Sequence, residues 1–261
     1  MILSHRHRFI FMHARKTGGS SVSLLLNRHL GPRDLQLGTW PDTIAHGGGY
    51  NLDAVLTALS APRELLRRTR RRPGAARRFG LDPEVVNAIQ RRHFRTRHGF
   101  EHTTHVCART VRDYAPDAWA RYFKFCVVRN PWDHAVSDYY WRLSVRGRPE
   151  IGFGEFVRRL ADPGRPDPEG LRPPVITNWD ICAIDDEIAL DRVARYETLA
   201  EDLAGIGARI GLALDISAVR AKGGLRDRSL GLRDHYDDTL IELVAGVYAR
   251  EIRAFGYAPP F

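Results

Sequence analysis

Between an apolar run and a leucine-rich segment near the start of the chain stands Ala14-Arg15-Lys16-Thr17-Gly18-Gly19-Ser20-Ser21. Glycines let the backbone approach an anion closely, and a helix opening here offers unpaired N–H groups and the positive end of its dipole. Lys16 adds a mobile positive charge, while Thr17, Ser20 and Ser21 add hydroxyl donors. Together they make a phosphate cradle. It is not the GxxxxGK[ST] loop of P-loop NTPases, because GxxxxGK[ST] is absent and the lysine precedes the glycines. The structural alternative is a glycine turn with an exposed lysine.

A second constellation follows at Arg129 and Ser137. The first closes a strand-like run and the second lies two turns along the helical pattern after it. In open α/β sheets ligands bind beyond the carboxyl ends of strands, where a guanidinium and a hydroxyl can hold another phosphate. Pro131 opens that helix, a position where its missing N–H costs nothing. Pairing of Arg129 with Asp133 or Asp138 is the structural alternative. Histidine is the side chain that titrates nearest neutrality, so His102 and His105 in GFEHTTHVCARTV are candidate bases, with His46 behind them and Glu101 as a carboxylate alternative. No HExxH or Cys-x-x-Cys arrangement is present, so no metal site is expected.

The elements that position these groups can be read from periodicity. Arg8 to His13 is a compact apolar run that reads as a buried strand, and SSVSLLLNRHL after the loop has helical spacing and stops at Gly31-Pro32. Leu35 to Asn51 is rich in turn residues. Asn51 to Leu66 and Pro83 to Arg97 read as helices, and Thr110 to Arg121 precedes a second strand, Tyr122 to Val128. WDHAVSDYYWRL is helical in pattern, and a proline-rich loop runs from Asp162 to Pro174. A third strand is expected at Arg192 to Tyr196, with helices at Thr198 to Ile210 and Asp237 to Phe255. Strands alternating with helices predict an α/β fold, a central parallel sheet flanked by helices.

A length of 261 residues suits a single domain, with a basic, helical, variable segment at about 31–100. A net charge of +9 implies an anionic partner, and Arg63 to Arg78 concentrates arginine. Three cysteines without metal-ligand spacing give no disulfide framework, and Cys126 in its apolar strand reads as a small hydrophobe. With no signal-like or membrane-spanning stretch, a soluble cytoplasmic protein is expected.

HARKTGGSSV resembles the 5′-phosphosulfate loop of sulfotransferases that use 3′-phosphoadenosine 5′-phosphosulfate (PAPS). YFKFCVVRNPWDHAVSDYYW resembles their 3′-phosphate motif. Arg195-Tyr-Glu-Thr-Leu199 and the ending YAREIRAFGY are similar to further segments of the carbohydrate-type, Golgi-like and bacterial members. Arg15 departs from the pattern, standing where many members have proline. The resemblance implies a P-loop-NTPase-like sulfotransferase fold and transfer of a sulfuryl group from PAPS to an acceptor hydroxyl, of a carbohydrate or glycoconjugate, leaving PAP and requiring no metal. Residues Arg15, Lys16, Thr17, Gly18, Gly19, Ser20 and Ser21 would hold the 5′ side of the donor. Arg129 and Ser137 would take the 3′-phosphate, joined by Lys222 in a late Lys-Gly-Gly-Leu-Arg stretch. Lys16 would stabilise the leaving phosphate. His105, in an His-x-x-Ala context, would be the base, with His102 second. A P-loop nucleotide kinase and a basic nucleic-acid-binding protein are the competing readings; the first lacks its lysine and the second its motifs.

Overall fold

Phe9 and Phe11 alternate with Ile10 and Met12, so a strand through them is apolar on both faces and belongs inside a sheet. In the computed structural model, which describes residues 1–72, 80–217, 219 and 229–261, these four residues form that strand and all are buried. The chain divides into two compact units, Met1–Val127 with Asp180–Lys222, and Val128–Trp179 with Gly223–Phe261.

The first unit opens with β1 (Ile2–Ser4), β2 (Phe9–Met12), α1 (Gly19–Asn27), β3 (Leu35–Gln36) and α2 (Trp40–Ala45). It continues through α3 (Leu52–Leu59), α4 (Pro62–Arg70), α5 (Pro83–His98), α6 (Ala108–Tyr114), α7 (Pro116–Arg121) and β4 (Phe123–Val128). The sequence read one helix across 51–66. Two form instead, because Pro62 has no N–H to continue the first and is well suited to open the second.

In the second unit α8 (Pro131–Val145) and α9 (Phe153–Ala161) are followed by α10 (Trp179–Cys182), which crosses back into the first. There follow a small hairpin, β5 (Ala183–Ile184) with β6 (Glu187–Ile188), then β7 (Arg192–Arg195) and α11 (Leu199–Ile210). The second unit closes with α12 (Asp238–Val247) and α13 (Ala249–Phe255). The single helix expected over 237–255 breaks at Tyr248, which leaves helical geometry at φ −106° and ψ 25°.

The central sheet has the order β3-β1-β2-β4-β7. Its inner pair is parallel as expected, Phe9 facing Phe123 and Met12 facing Cys126. β1 runs antiparallel to both β2 and β3. The short connection between β1 and β2 explains the first of these pairings, because parallel neighbours need a crossover of a dozen residues or so. On one face Phe9, Phe11, Phe125 and Val127 pack with leucines of α1 and with Leu203, Ile206 and Ile210 of α11. On the other, the buried Cys126 thiol lies 3.0 Å from that of Cys182.

β7 ends the sheet order, and its side chains Arg192 and Arg195 are exposed. Asp202 ties it to α11, pairing with Arg192 at 2.8 Å and accepting from the Arg195 N–H at 2.9 Å. Within the second unit Trp132, Val136, Phe156, Leu240 and Val244 form a separate core. Arg159 reaches Glu155, Asp167 and Glu169 and so fixes the proline-rich loop to α9. Among the described residues no helix is long and apolar enough to cross a membrane.

Candidate functional site

The carboxyl end of β2 delivers the chain into the glycine loop, and α1 starts at Gly19 with Gly18 as its N-cap. Gly18 has φ 79° and no side chain with which to cap the helix; its carbonyl accepts from the Ser21 and Val22 N–H groups at 3.0 and 3.2 Å, so the backbone of the loop itself closes the first turn. Gly19 is required by its neighbour: a Cβ there would sit 2.1 Å from Cδ2 of His13. Lys16 itself adopts a left-handed backbone, φ 59°, a conformation that costs a non-glycine residue energy. This turn holds the lysine half-buried beside the helix start.

Thr17 donates to the Ala14 carbonyl at 3.2 Å, and Ser20 donates to Oδ2 of Asp42 at 3.1 Å. Ser21 is half-buried in the first turn, and the Arg15 side chain is buried rather than projecting from the loop.

His105 is tied directly to the approach to this loop. Its Nδ1 lies 2.8 Å from the carbonyl oxygen of His13. A carbonyl only accepts, so this bond assigns the proton to Nδ1 and leaves the lone pair on Nε2. The two imidazoles meet edge to face with centroids 5.0 Å apart, and His13 is the residue that touches Gly19. Burial pushes the His105 pKa down to about 3; the bond to His13 opposes this, and the charges of Arg15 and His102 add to it. Neutral imidazole is the form a base needs, and His105 is in that form across the whole neutral range, although the same burial makes it a weak base until a nearby negative charge raises its pKa.

His102 and Glu101 are exposed on the same loop. His46 is exposed as well, with Nδ1 2.8 Å from the backbone oxygen of Asp42.

The second unit carries the other group. Asn130 caps α8 by accepting from the Trp132 N–H at 3.1 Å, and Pro131 occupies the first turn. Arg129 pairs with Asp133, Nε to Oδ2 at 2.7 Å. The structural alternative is thus realised for this arginine. Ser137 is four residues beyond Asp133, which puts both on one face of α8. An anion arriving at Arg129 and Ser137 must therefore share the guanidinium with a carboxylate. Lys222 lies outside the described residues.

Three contributors were not visible in the sequence. His13 appeared only as the last residue of a strand, yet it orients His105 and packs on Gly19. Asp42 looked like a turn residue in an irregular stretch, and meets Ser20 only after folding. Tyr196, within the Arg-Tyr-Glu-Thr-Leu segment, lays its ring on the loop; a Cβ on Gly18 would be 3.1 Å from its Cε2. Among the described residues, no group of three or more His, Cys, Asp or Glu side chains is arranged to hold a metal ion.

A family model described as the sulfotransferase family matches residues 1–258. A solved structure of a sulfotransferase from Alicyclobacillus acidocaldarius is 17% identical, with 97% of this chain and 96% of that chain covered and a TM-score of 0.41. No curated protein matches the chain.

Proposed function

Since the chain belongs to the sulfotransferase family, we propose that it moves the sulfuryl group of PAPS onto a hydroxyl of a carbohydrate or glycoconjugate. The observation that carries this reading is the loop from Lys16 to Ser21 at the start of α1, with His105 fixed to the carbonyl of His13 beside it. A helix start with a lysine suits the anionic side of the donor, and an oriented neutral imidazole suits the acceptor.

The acceptor oxygen attacks sulfur in line with the departing phosphate oxygen, by the logic of phosphoryl transfer. One S–O bond forms and one breaks, and PAP leaves with the electron pair. Lys16 and the first-turn N–H groups meet the charge that grows on the leaving oxygen. The acceptor proton passes to Nε2 of His105. The resulting imidazolium would be disfavoured by burial and by Arg15 in the free protein, and the negative charge of the bound donor offsets both. Thr17 and Tyr196 keep the loop in shape rather than touch sulfur. No step uses a metal.

Arg129 and Ser137 take the 3′-phosphate in this scheme, the phosphate sharing Arg129 with Asp133. His102 stands behind His105 as base, and Glu101, exposed on the same loop, is the carboxylate alternative. The carbohydrate acceptor rests on the branch of the family that the motifs resemble.

Calorimetric titration without magnesium tests the donor. PAP is expected to bind, and Arg129→Ala to weaken it on the order of 10- to 100-fold, as expected for loss of charge-assisted hydrogen bonds. Binding of ATP with magnesium but not of PAP would sink the proposal.

A further inference from the structure

Helices α3, α4 and α5 pack around Ala54, Ala58, Leu81 and Val86, with Val55 and Leu65 turned inward against them. The remaining leucines face out. Leu52, Leu56 and Leu59 are 50%, 56% and 52% exposed, and their spacing of four and three puts them on one side of α3, away from Ala54 and Ala58. Two residues later α4 repeats the pattern with a different filling. Leu66, 53% exposed, shares its face with Arg63, Arg67 and Arg70.

Charge is concentrated on the same three helices. Residues 51–72 contain six arginines against Asp53 and Glu64, and residues 91–98 on α5 contain four arginines and no acid. These two stretches hold eight of the nine net positive charges of the whole chain. Glu64 answers Arg67, Arg68 and Arg92, and Asp82 answers Arg72. No acidic partner is recorded for Arg63, Arg70, Arg91 or Arg95 among the described residues.

We propose that the α3–α4 face, with the basic end of α5, is a docking surface for an anionic lipid bilayer. A row of leucines held in water is costly to leave exposed; the arginines beside Leu66 on α4 and at the end of α5 attract anionic headgroups while the leucines enter the acyl boundary. An acidic glycan or a nucleic acid would use the arginines and leave the leucines in water. This combination therefore favours the bilayer over either polymer.

The test is co-sedimentation of the full chain with vesicles of phosphatidylcholine alone, and of phosphatidylcholine with about one-third phosphatidylglycerol. Binding is expected only to the anionic vesicles, and to fall as salt rises. Arg63→Gln/Arg67→Gln/Arg70→Gln should weaken it by roughly 100-fold. Leu52→Ser/Leu56→Ser/Leu59→Ser, which leaves the charge untouched, should weaken it about tenfold or more. Unchanged thermal melts would show that the exposed changes leave the fold intact, and Leu56→Ser alone serves if the triple variant does not fold.

Three results would overturn the proposal. Wild-type protein that ignores anionic vesicles is one. A leucine variant that binds as well as wild type is another, and it would identify a purely electrostatic site for glycan or nucleic acid. The third is a dimer in solution that the leucine changes convert to monomer without any vesicle binding, which would assign the stripe to a second copy of the chain.

Discussion

His105 offers a test in which stability and chemistry depend on the same proton. Its imidazole is held neutral by burial, with a folded-state pKa of about 3 against 6.5 for an ordinary histidine. Between those values the unfolded chain binds a proton that the folded chain refuses. Unfolding free energy therefore rises with pH through this window and levels off above about 6.5. Each pH unit inside the window is worth up to about 1.4 kcal/mol, so going from neutrality to about pH 5 should remove roughly 2 kcal/mol on this account. His29 and His93 are depressed in the same sense, by burial first, so the wild-type slope alone is not diagnostic. His105→Asn isolates the term: its amide can still donate to the His13 carbonyl, while the titrating group is gone. Urea melts between about pH 4 and 7 should show a shallower pH dependence in the variant.

The same proton can be followed in chemistry. NMR titration of the His105 ring should place its pKa well below the ordinary histidine range in the free protein. PAP should raise it, because an anion beside the ring opposes Arg15. Turnover by His105→Asn should collapse while PAP affinity stays nearly intact. A ring that titrates near 6.5 without ligand, or a variant with wild-type turnover, would refute the reasoning.

Other outcomes follow from the loop. Lys16→Ala should lower turnover on the order of 100-fold or more with assay by sulfate transfer from labelled PAPS. Lys16→Gly removes the same charge but relieves the left-handed backbone at φ 59°, so it should lose as much activity without losing thermal stability. Gly19→Ala forces a methyl to within 2.1 Å of the His13 ring; a cost of roughly 1–3 kcal/mol in melts is expected, together with weakened PAP binding.

Much of this was readable where local signals agree. The apolar run through Phe11, the glycines and the leucine spacing of α1 all point to strand, loop and helix, and β4 with α8 repeats the logic around Pro131. β1 and β3 were not readable. They have three and two residues, too few for an alternation to register, and are held by pairing with partners elsewhere in the chain. The break at Tyr248 has neither glycine nor proline to announce it. For the site, residue chemistry pointed to Lys16 and to His102 and His105 alike, with the resemblance favouring His105, but not to what orients His105. The His13 carbonyl is a backbone group, 92 positions from His105, and no side-chain pattern encodes it.

The shortness of β7 has a consequence for the protein in a crowded solution. A strand that ends a sheet presents unpaired N–H and C=O groups, and two such edges can zip together. Here the strand is only four residues long and the Asp202 carboxylate already takes the Arg195 N–H, so little of its backbone is open to a second copy. The shortness of this strand and its bond to α11 thus discourage self-association through it, a safeguard against misassembly separate from anything the loop or His105 does.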